Sequence, residues 1–570
     1  MRLQITKSKN SSSFYVVEST YDRNGKRSNK VVERLGTLAE LQKVHDDPYE
    51  WAKSYVEELT KKKKSDNAKI RIDYSPFSRL EKEKSSLYNG GYLFLQNLYY
   101  KFGLNKICKE ISKKYGFEYD LNDILSRLVY GRILSPASKM STMEYSKALL
   151  EKPHFELHQI YRALEILAKE SDYIQSQLYL NSKAVSVRND SILYYDCTNF
   201  FFEIEEESGI RKYGVSKEHR PNPIVEMGMF IDGDGVPLAF CIRPGNTNEQ
   251  QTLRPLEQQI IRDFGKSKFV ICTDAGLSSN ANRKFNSIQD RAFITVQSIK
   301  KMTDKQKEWA LSENGWKLPN SDVEYSIEQI KSNSDLYKDK TFYKENLYND
   351  NGLYQRYIVT FSLKYMEYMA NIREKQIQRA QKMIDTGIDK RYSQNDPYRF
   401  IDQLYFSDDG EIVDRHKMFL NEDKIICESV YDGFYCVTTN LEDPVEMILK
   451  VNARRWEIEE SFRIMKSEFK SRPVYLSRDD RIKAHFLTCF ISLFLFRNLE
   501  KKINSRFTVS ELLKTLRAMQ FKETPRDGYV PVYTRNDITD CLHDSFGIYT
   551  DFEILTMSEM RKIFQLSKKP

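Results

Sequence analysis

Apolar and polar residues alternate at the start of the chain, and a helical repeat then replaces the alternation. Residues 14–38 alternate on both sides of Asn24-Gly25, which predicts a β-hairpin. From about 88 to 185 apolar residues recur every three or four positions, which predicts a set of helices. We expect residues 1–66 to form the hairpin and a linker with the lysine run 61–64, and 67–185 to form a helical domain. That domain is either a DNA-binding helix-turn-helix unit or a plain scaffold.

The middle of the chain changes to strands. Three apolar runs, a helix from Asn248 to Phe264 and the run KFVICTDAG follow one another. This order predicts an α/β domain with a mixed sheet. A polar stretch rich in Tyr, Lys, Asn and Asp interrupts it, and the strand GFYCVTTNL at 433–441 resumes it. The predicted segments are 186–289 for the first part of the core, 290–430 for a β-rich insertion domain, 431–504 for the second part of the core, and 505–570 for a helical C-terminal tail.

Composition narrows the class of protein only a little. The 570 residues exceed what one core accommodates. Lys and Arg outnumber Asp and Glu by 89 to 81, an excess that favours an anionic partner only where it is clustered. The eight cysteines have no CxxC spacing, which is typical of a reduced intracellular protein without a zinc module. The N-terminus has no apolar signal segment, and the longest apolar run, Phe486 to Phe496, is too short to cross a bilayer. We therefore expect a cytoplasmic protein with no membrane partner.

The most unusual segment is RRWEIEESFRIMKSEFK, residues 454–470. On a helix, Arg455, Glu459, Phe462 and Lys466 share one face, so that a carboxylate lies between two cations. One interpretation is a solvated helix with salt bridges. The other is a metal-binding carboxylate among groups suited to phosphate contacts.

Two further carboxylates lie in strand-like surroundings. Asp196 lies inside the apolar run SILYYDCTNFFF, where a charge is costly unless something compensates it. Asp274 ends the run KFVICTDAG, where it either forms an Asx turn or lies at the edge of a sheet at which α/β proteins place their sites. Together with Glu459 they offer three hard oxygen ligands, which suit Mg²⁺ or Mn²⁺ and not zinc. Two such ions are suited to phosphodiester chemistry.

These motifs together resemble a known family. The chain carries YYDCTNF, GNTNE at 245–249, VICTDAGL and most of the signature Y-x2-R-x3-E-x6-K, in which Arg455, Glu459 and Lys466 match and Asn452 replaces the Tyr. In this respect it resembles the DDE transposases of the bacterial insertion-sequence-four superfamily, in the long form with a β-rich insertion domain. The resemblance implies an RNase H-like catalytic core with Asp196, Asp274 and Glu459 as catalytic residues and ligands of two Mg²⁺ (or Mn²⁺) ions.

The resemblance also implies partners and a reaction. The protein would bind double-stranded DNA, both the terminal inverted repeats of an insertion sequence and the target, and would cut and rejoin it as a homodimer associated with the nucleoid. Arg455, Lys466 and Asn452 would hold backbone phosphates. Trp456 would either stack on a base or pack in the core, and its position favours packing.

Other positions leave two interpretations open. Lys217 and Arg220 either line DNA or belong to a solvated basic loop. Asn246 and Glu249 either support the carboxylates or cap the next helix. Two other functions remain: a related metal-dependent nuclease without strand transfer, and a DNA-binding derivative without catalysis, against which the presence of all three carboxylates argues.

Overall fold

The computed structural model describes the whole chain except 9–10, 22–26, 68–69, 71, 73–75, 78, 80–81, 83–84, 388–395, 407–414, 525–526 and 570. The described residues divide into two compact units. The first comprises Met1–Lys84 with Thr524–Gly528, and the second comprises Ser85–Glu523 with Tyr529–Pro570.

The first unit contains a three-stranded antiparallel sheet and two helices: β1 Arg2–Ser8, β2 Ser11–Tyr21, β3 Arg27–Thr37, α1 Leu38–Leu41 and α2 Pro48–Asn67. The pairing of β2 with β3 confirms a hairpin, although the predicted turn at Asn24-Gly25 lies outside the described residues. The lysine run 61–64 belongs to α2, whereas the sequence suggested a linker. After Pro48 this segment contains no Gly or Pro, so nothing ends the helix before it reaches the lysines.

The predicted helical pattern from 88 to 185 is present. A short strand precedes six helices: β4 Leu87–Asn89, α3 Tyr92–Lys101, α4 Leu104–Tyr115, α5 Leu121–Leu134, α6 Lys139–Ser146, α7 Leu157–Lys169 and α8 Ser171–Val185. Asp120 and Ser138 cap α5 and α6 by accepting backbone N–H bonds of the first turn. Whether this region contacts DNA stays a prediction.

A mixed sheet of ten strands follows. From residue 192 to 439 the elements are β5 Ile192–Phe201, β6 Ile224–Asp232, β7 Pro237–Pro244, α9 Glu249–Asp263, β8 Phe269–Thr273, α10 Asn280–Phe285, β9 Arg291–Val296, α11 Asp304–Leu311, β10 Trp316–Lys317, β11 Glu324–Tyr325, α12 Ile327–Ser332, α13 Ser334–Tyr337, β12 Phe342–Asp350, β13 Leu353–Phe361, α14 Leu363–Thr386, β14 Ile401–Phe406, β15 Arg415–Leu420, α15 Glu422–Ser429 and β16 Phe434–Thr439. The strand order is β11-β10-β12-β13-β16-β9-β8-β5-β6-β7. Strands β5, β8 and β9 are parallel, while β6 and β7 continue the sheet in antiparallel fashion.

The segment 290–430 differs from the separate β unit expected of it. Its first strand, β9, pairs with β8, and β13 pairs with β16 from Arg356 to Phe361, so these strands extend the core sheet. Burial of Ile358 and Val359 on the two faces of β13 explains why it adds to the large sheet. Strands β14 and β15 form a separate hairpin, and Ala380 of α14 packs with Phe400 and Ile401 in a small apolar cluster of their own.

The C-terminal part is mainly helical, as predicted, with three short strands. Its elements are α16 Val445–Ala453, α17 Trp456–Arg463, a π-helical turn at Ile464–Glu468, α18 Asp479–Lys502, α19 Val509–Ala518, β17 Gln520–Thr524, β18 Gly528–Pro531, α20 Asp537–Phe546, β19 Leu555–Thr556 and α21 Met557–Ser567. The apolar run 486–496 lies in α18 and is buried, as its composition suggested. By length and composition α18 could cross a membrane, but 89% of its most apolar window is buried within the protein.

Excision of Leu363–Asp432 tests whether the sheet folds without α14, α15 and the β14–β15 hairpin. The backbone N–H of Ser362 donates to the carbonyl of Gly433 at 3.1 Å, so a short Gly/Ser linker can join the two ends. We expect the shortened protein to unfold cooperatively and to lose only the helical circular dichroism of α14 and α15, because β13 and β16 remain paired.

Deletion of 291–430 is the comparison. It removes β9 and β13 from the interior of the sheet, and we expect it to unfold the protein. Loss of folding in both deletions would show that α14, α15 and their hairpin are required by the sheet.

Candidate functional site

The predicted carboxylates Asp196 and Asp274 occupy neighbouring positions where the parallel pairing of β5 with β8 ends. Strands β5 and β8 are parallel and in register up to Tyr195 and Thr273. Asp196 and Asp274 are the next residue on each strand. Neighbouring strands lie about 4.8 Å apart, and residues at the same register of parallel strands point to the same face. Asp196 and Asp274 therefore start from adjacent positions on one face of the sheet.

The environment of Asp196 disfavours the ionised form of its carboxyl. Burial, together with the charges of Asp274 and Glu249, raises the pKa of its carboxyl to about 6, although Lys217 and the backbone N–H of Cys197 lower it. The backbone N–H of Cys197 donates to the Asp196 carboxylate at 2.7 Å. The repulsion between Asp196 and Asp274 agrees with their adjacent positions, and it favours a cation between them.

Asp274 combines both interpretations suggested by the sequence. Its side chain accepts the backbone N–H of Ala275 and caps the short 3-10 helix Ala275–Leu277. The same side chain is half exposed and contacts Arg455 at 3.6 Å. The turn thus orients the carboxylate without burying it.

Arg455 connects the second predicted carboxylate with the third. Its Nη1 lies 3.6 Å from Oδ1 of Asp274, and its Nη2 lies 3.7 Å from Oε1 of Glu459. Burial alone would lower the pKa of Arg455, but the two carboxylates raise it above the ordinary value. Glu459 is 63% exposed. Asp274 and Glu459 thus share Arg455, and the charge of Asp274 acts on Asp196, while the convergence of all three carboxylates on one metal stays a prediction.

The helix that carries these residues is not the continuous helix predicted for 454–470. It begins at Trp456, directly after Arg455, and it widens into a π-helical turn at Ile464–Glu468. Such turns often occur at functional sites because they redirect side chains. Lys466 lies in this turn and donates to Oγ1 of Thr198 on β5 at 2.7 Å. Burial and the nearby Lys217 lower the pKa of Lys466 to about 8.

A second group of charges borders the site. Lys217 lies 2.9 Å from Oε1 of Glu249 and donates to the Cys197 carbonyl at 2.5 Å. Glu226 on β6 is buried, and burial together with Glu249 raises its pKa to about 8. Glu249 is among the residues that the sequence suggested as supports of the carboxylates, whereas Glu226 is not. A Glu inside the apolar run PIVEMGMFID is the same signal that singled out Asp196.

Three predicted DNA-contacting residues differ in their surroundings. Asn452 is 9% exposed, and its amide donates to the hydroxyl of Tyr435 at 3.0 Å, which argues against the expected DNA contact, and that contact stays a prediction. It lies on the inner face of α16. Trp456 is 57% exposed, so the favoured packing interpretation is wrong. Arg220 stacks on Phe201 at 4.1 Å from the ring and remains half exposed.

Comparison with known proteins identifies the family. A model of the transposase DDE domain matches residues 200–495, just over half of the chain. The chain therefore belongs to the transposase DDE domain family. The match contains Asp274 and Glu459, begins four residues after Asp196, and does not distinguish the insertion-sequence-four superfamily from others.

Solved structures of two transposases are similar to the chain. One is the piggyBac transposase synaptic complex with hairpin DNA, with 9% identity, a TM-score of 0.36 and coverage of 84% of each chain. The other is the Mos1 transposase paired-end complex with left transposon end, with 14% identity, a TM-score of 0.13 and coverage of 41% of this chain and 64% of that one. No curated protein matches the chain.

The raised pKa of Asp196 predicts a stability that depends on pH. Below about pH 4 the carboxyl is neutral in both the folded and the unfolded protein, so it does not affect the free energy of unfolding. As the pH rises the carboxyl ionises more readily in the unfolded protein, and the resulting loss of stability is complete above about pH 6. Asp196→Asn should therefore raise the free energy of unfolding of the metal-free protein by about 1–3 kcal/mol above that window and leave it unchanged near pH 4. Urea unfolding in a chelator at both pH values measures the difference.

Asp480→Asn is the opposite control. Asp480 lies at the start of α18, and although burial alone would raise its pKa, its bonds to Arg478 and Arg481 hold the pKa below the ordinary value. Its replacement should lower stability at neutral pH. A destabilised Asp196→Asn protein at neutral pH would contradict the account of the site.

Proposed function

We propose that the chain is a DNA transposase of the insertion-sequence-four superfamily. It binds the terminal inverted repeats of its element, cuts DNA in a metal-dependent reaction and joins the freed 3′ end to target DNA. The observation that carries this proposal is the adjacent register of Asp196 and Asp274 where the parallel pairing of β5 with β8 ends, together with the contacts of Arg455 to both Asp274 and Glu459.

The order of the strands supports an RNase H-like core. Strands β7, β6 and β5 form an antiparallel meander, and β8 and β9 follow β5 in parallel on its other side. The first two carboxylates lie on β5 and directly after β8, and the third lies on a helix beyond β16, after the insertion. In this interpretation α14, α15 and the β14–β15 hairpin are the outlying part of the insertion domain, in a position to hold a DNA end.

The donor set fits a divalent metal. All three predicted ligands are carboxylates, and the mutual repulsion of Asp196 and Asp274 is the condition that a hard cation relieves. Asp196, Asp274 and Glu459 would hold two Mg²⁺ (or Mn²⁺) ions. When bound, such ions lower the pKa of water and stabilise the oxygens that attack and leave phosphorus.

The surrounding cations are suited to hold the DNA backbone. Lys466 and Lys217 both contact β5, at Thr198 and at the Cys197 carbonyl, and each offers a point charge to a phosphate. Arg455 can exchange its carboxylate contacts for a phosphate once the carboxylates are neutralised. The exposed indole of Trp456 is available to stack on a base, and Arg220 lies at the margin.

The proposal includes the assembly and the place of action. Two ends must be brought together for coordinated transposition, so we propose a homodimer in the synaptic complex. We propose that it acts on the nucleoid in the cytoplasm and not at a membrane.

Loss of one ligand charge should remove catalysis and spare DNA binding. Asp196→Asn and Glu459→Gln keep the side-chain size, so we expect folded proteins that bind terminal-repeat DNA but do not cleave it with Mg²⁺. Gel shift and cleavage on the same DNA give both readouts, and a strand-transfer assay separates a transposase from a nuclease that does not rejoin.

Glu460→Gln is the matched control for that experiment. Glu460 lies on the same helix but pairs outward with Arg463 at 2.6 Å, so its replacement should keep cleavage. Wild-type cleavage by Asp196→Asn or Glu459→Gln would end the proposed mechanism.

Arg455 and Lys466 should separate metal binding from DNA binding. Arg455→Gln removes a cation that competes for Asp274 and Glu459, so Mn²⁺ should bind more tightly in the absence of DNA. Lys466→Gln should leave Mn²⁺ affinity nearly unchanged and reduce the salt slope of log K for duplex DNA by about 0.9. Arg463→Gln, whose guanidinium is engaged by Glu460, is the control for both measurements. Weaker Mn²⁺ binding by Arg455→Gln would contradict this competition and would show that Arg455 positions the carboxylates for the metal.

A further inference from the structure

A cationic cavity of about 460 Å³ lies beside the carboxylate site in the second unit. The first turn of α6, the segment 470–476 and the beginning of α18 form its walls. Four cations and a histidine line it: Arg132, Lys139, Lys470, Arg472 and His485. All its lining residues are in the described part of the chain, and none of them is Asp or Glu.

Lys139 is the most informative of these cations. It is 5% exposed, and within the described ranges no carboxylate lies within 4.0 Å of its Nζ. Its one side-chain neighbour at hydrogen-bond distance is Nδ1 of His485, at 3.5 Å. The Nε2 of His485 lies 3.0 Å from the Ser471 carbonyl, and we assign the ring proton to Nε2 on that basis, which leaves Nδ1 as an acceptor. Lys139 thus has a neutral partner and no counter-ion.

Arg132 adds a second uncompensated charge. It is 5% exposed and donates to three backbone carbonyls, those of Phe469, Lys470 and Ala137, at 3.1 to 3.2 Å. These bonds fix its guanidinium, and no carboxylate of the described residues forms an ion pair with it. Burial, and after it the charge of Arg132, lower the pKa of Lys139 to about 7. Buried cations are costly unless they are paired, so the arrangement calls for an anion in the cavity.

A chain of contacts links the cavity to the carboxylate site. Arg472, in the cavity wall, forms an ion pair with Glu218, and Glu218 lies 3.6 Å from Nζ of Lys466. Lys466 in turn donates to Thr198, two residues after Asp196 on β5. An anion in the cavity is therefore close to the strand that carries the first carboxylate.

We propose that this cavity is a binding site for a phosphate group of a DNA strand, with Lys139 as its main cation. A lysine ammonium suits phosphate as a point charge, and Ser138 adds a hydroxyl and the N-terminus of α6 to the same wall. Tyr475 also lines the cavity and is exposed, so its ring is available to stack on the rest of a nucleotide. The choice of DNA as the source of the phosphate rests on the proposed function, whereas the phosphate site itself does not.

The first arm of the test uses inorganic phosphate as the probe. Phosphate should raise the midpoint of thermal unfolding of the wild-type protein above that in chloride of equal ionic strength, because a ligand of the folded state stabilises it. Lys139→Met should abolish that rise, and without phosphate it should unfold no earlier than the wild type, since it removes an unpaired buried charge. Lys344→Met is the control: Lys344 is also buried but lies on β12 and donates to Ser312, so its replacement should keep the rise. No phosphate effect on the wild type would overturn the site.

A measurement on the wild type alone guards against a variant that fails to fold. Acetylation of Lys139 by an amine-reactive reagent, followed by peptide mass spectrometry, should be slowed by phosphate and by duplex DNA. An unprotected Lys139 in the presence of both would contradict the inference.

The second arm asks whether the phosphate belongs to DNA. Lys139→Met should reduce the salt slope of log K for duplex DNA by about 0.9, and Lys344→Met should not. Loss of the phosphate effect with an unchanged slope would assign the cavity to a small phosphate compound and overturn the DNA source. The phosphate arm needs no cleavage, so a protein that fails to cut DNA but responds to phosphate would overturn the proposed function and leave the phosphate site standing.

Discussion

The parallel pairing of β5 with β8 is the constraint on which the candidate site depends. It places Tyr195 beside Thr273, and so Asp196 beside Asp274. A shift by one residue would turn one carboxylate to the other face of the sheet. Burial on both faces opposes such a shift: Tyr194 reaches the carbonyl of Val451 with its hydroxyl, while Tyr195 reaches Thr252 on α9. Two tyrosines on opposite faces thus hold the register.

Around this pair, negative and positive charges come from separate elements and compensate one another. Lys217 from the loop after β5 lies between Asp196 and Glu249, and Arg455 lies between Asp274 and Glu459. On the proposed function, a metal held by the carboxylates would free these cations for DNA phosphates, and DNA held by the cations would free the carboxylates for metal. Such coupling needs no large movement.

The helix α18 joins the helical region to the sheet in one core. Its phenylalanines reach both sides: Phe486 contacts Phe200 on β5, Phe490 contacts Phe240 on β7, and Phe494 contacts Phe102, with ring centroids 4.8 to 5.0 Å apart. This helix also presents His485 to Lys139. The residues that line the cationic cavity are consequently anchored to the same core as the carboxylates.

Local sequence patterns determined much of this protein. The helices of 88–185, the strands with Asp196 and Asp274, and the buried helix of 486–496 follow from the spacing of apolar residues, because that spacing reflects which face each element buries. The DDE transposase family was also recognisable from short motifs.

Tertiary structure decided the features that depend on pairing and burial between segments distant in sequence. It joined β10, β12 and β13 to the core sheet, buried Asn452 against Tyr435, and exposed Trp456. It also set Lys217 beside Asp196 and Glu226 beside Glu249. The residues of a strand do not specify which sheet edge it joins. In the same way, the residues of a helix turn do not specify which of its sides contacts another segment.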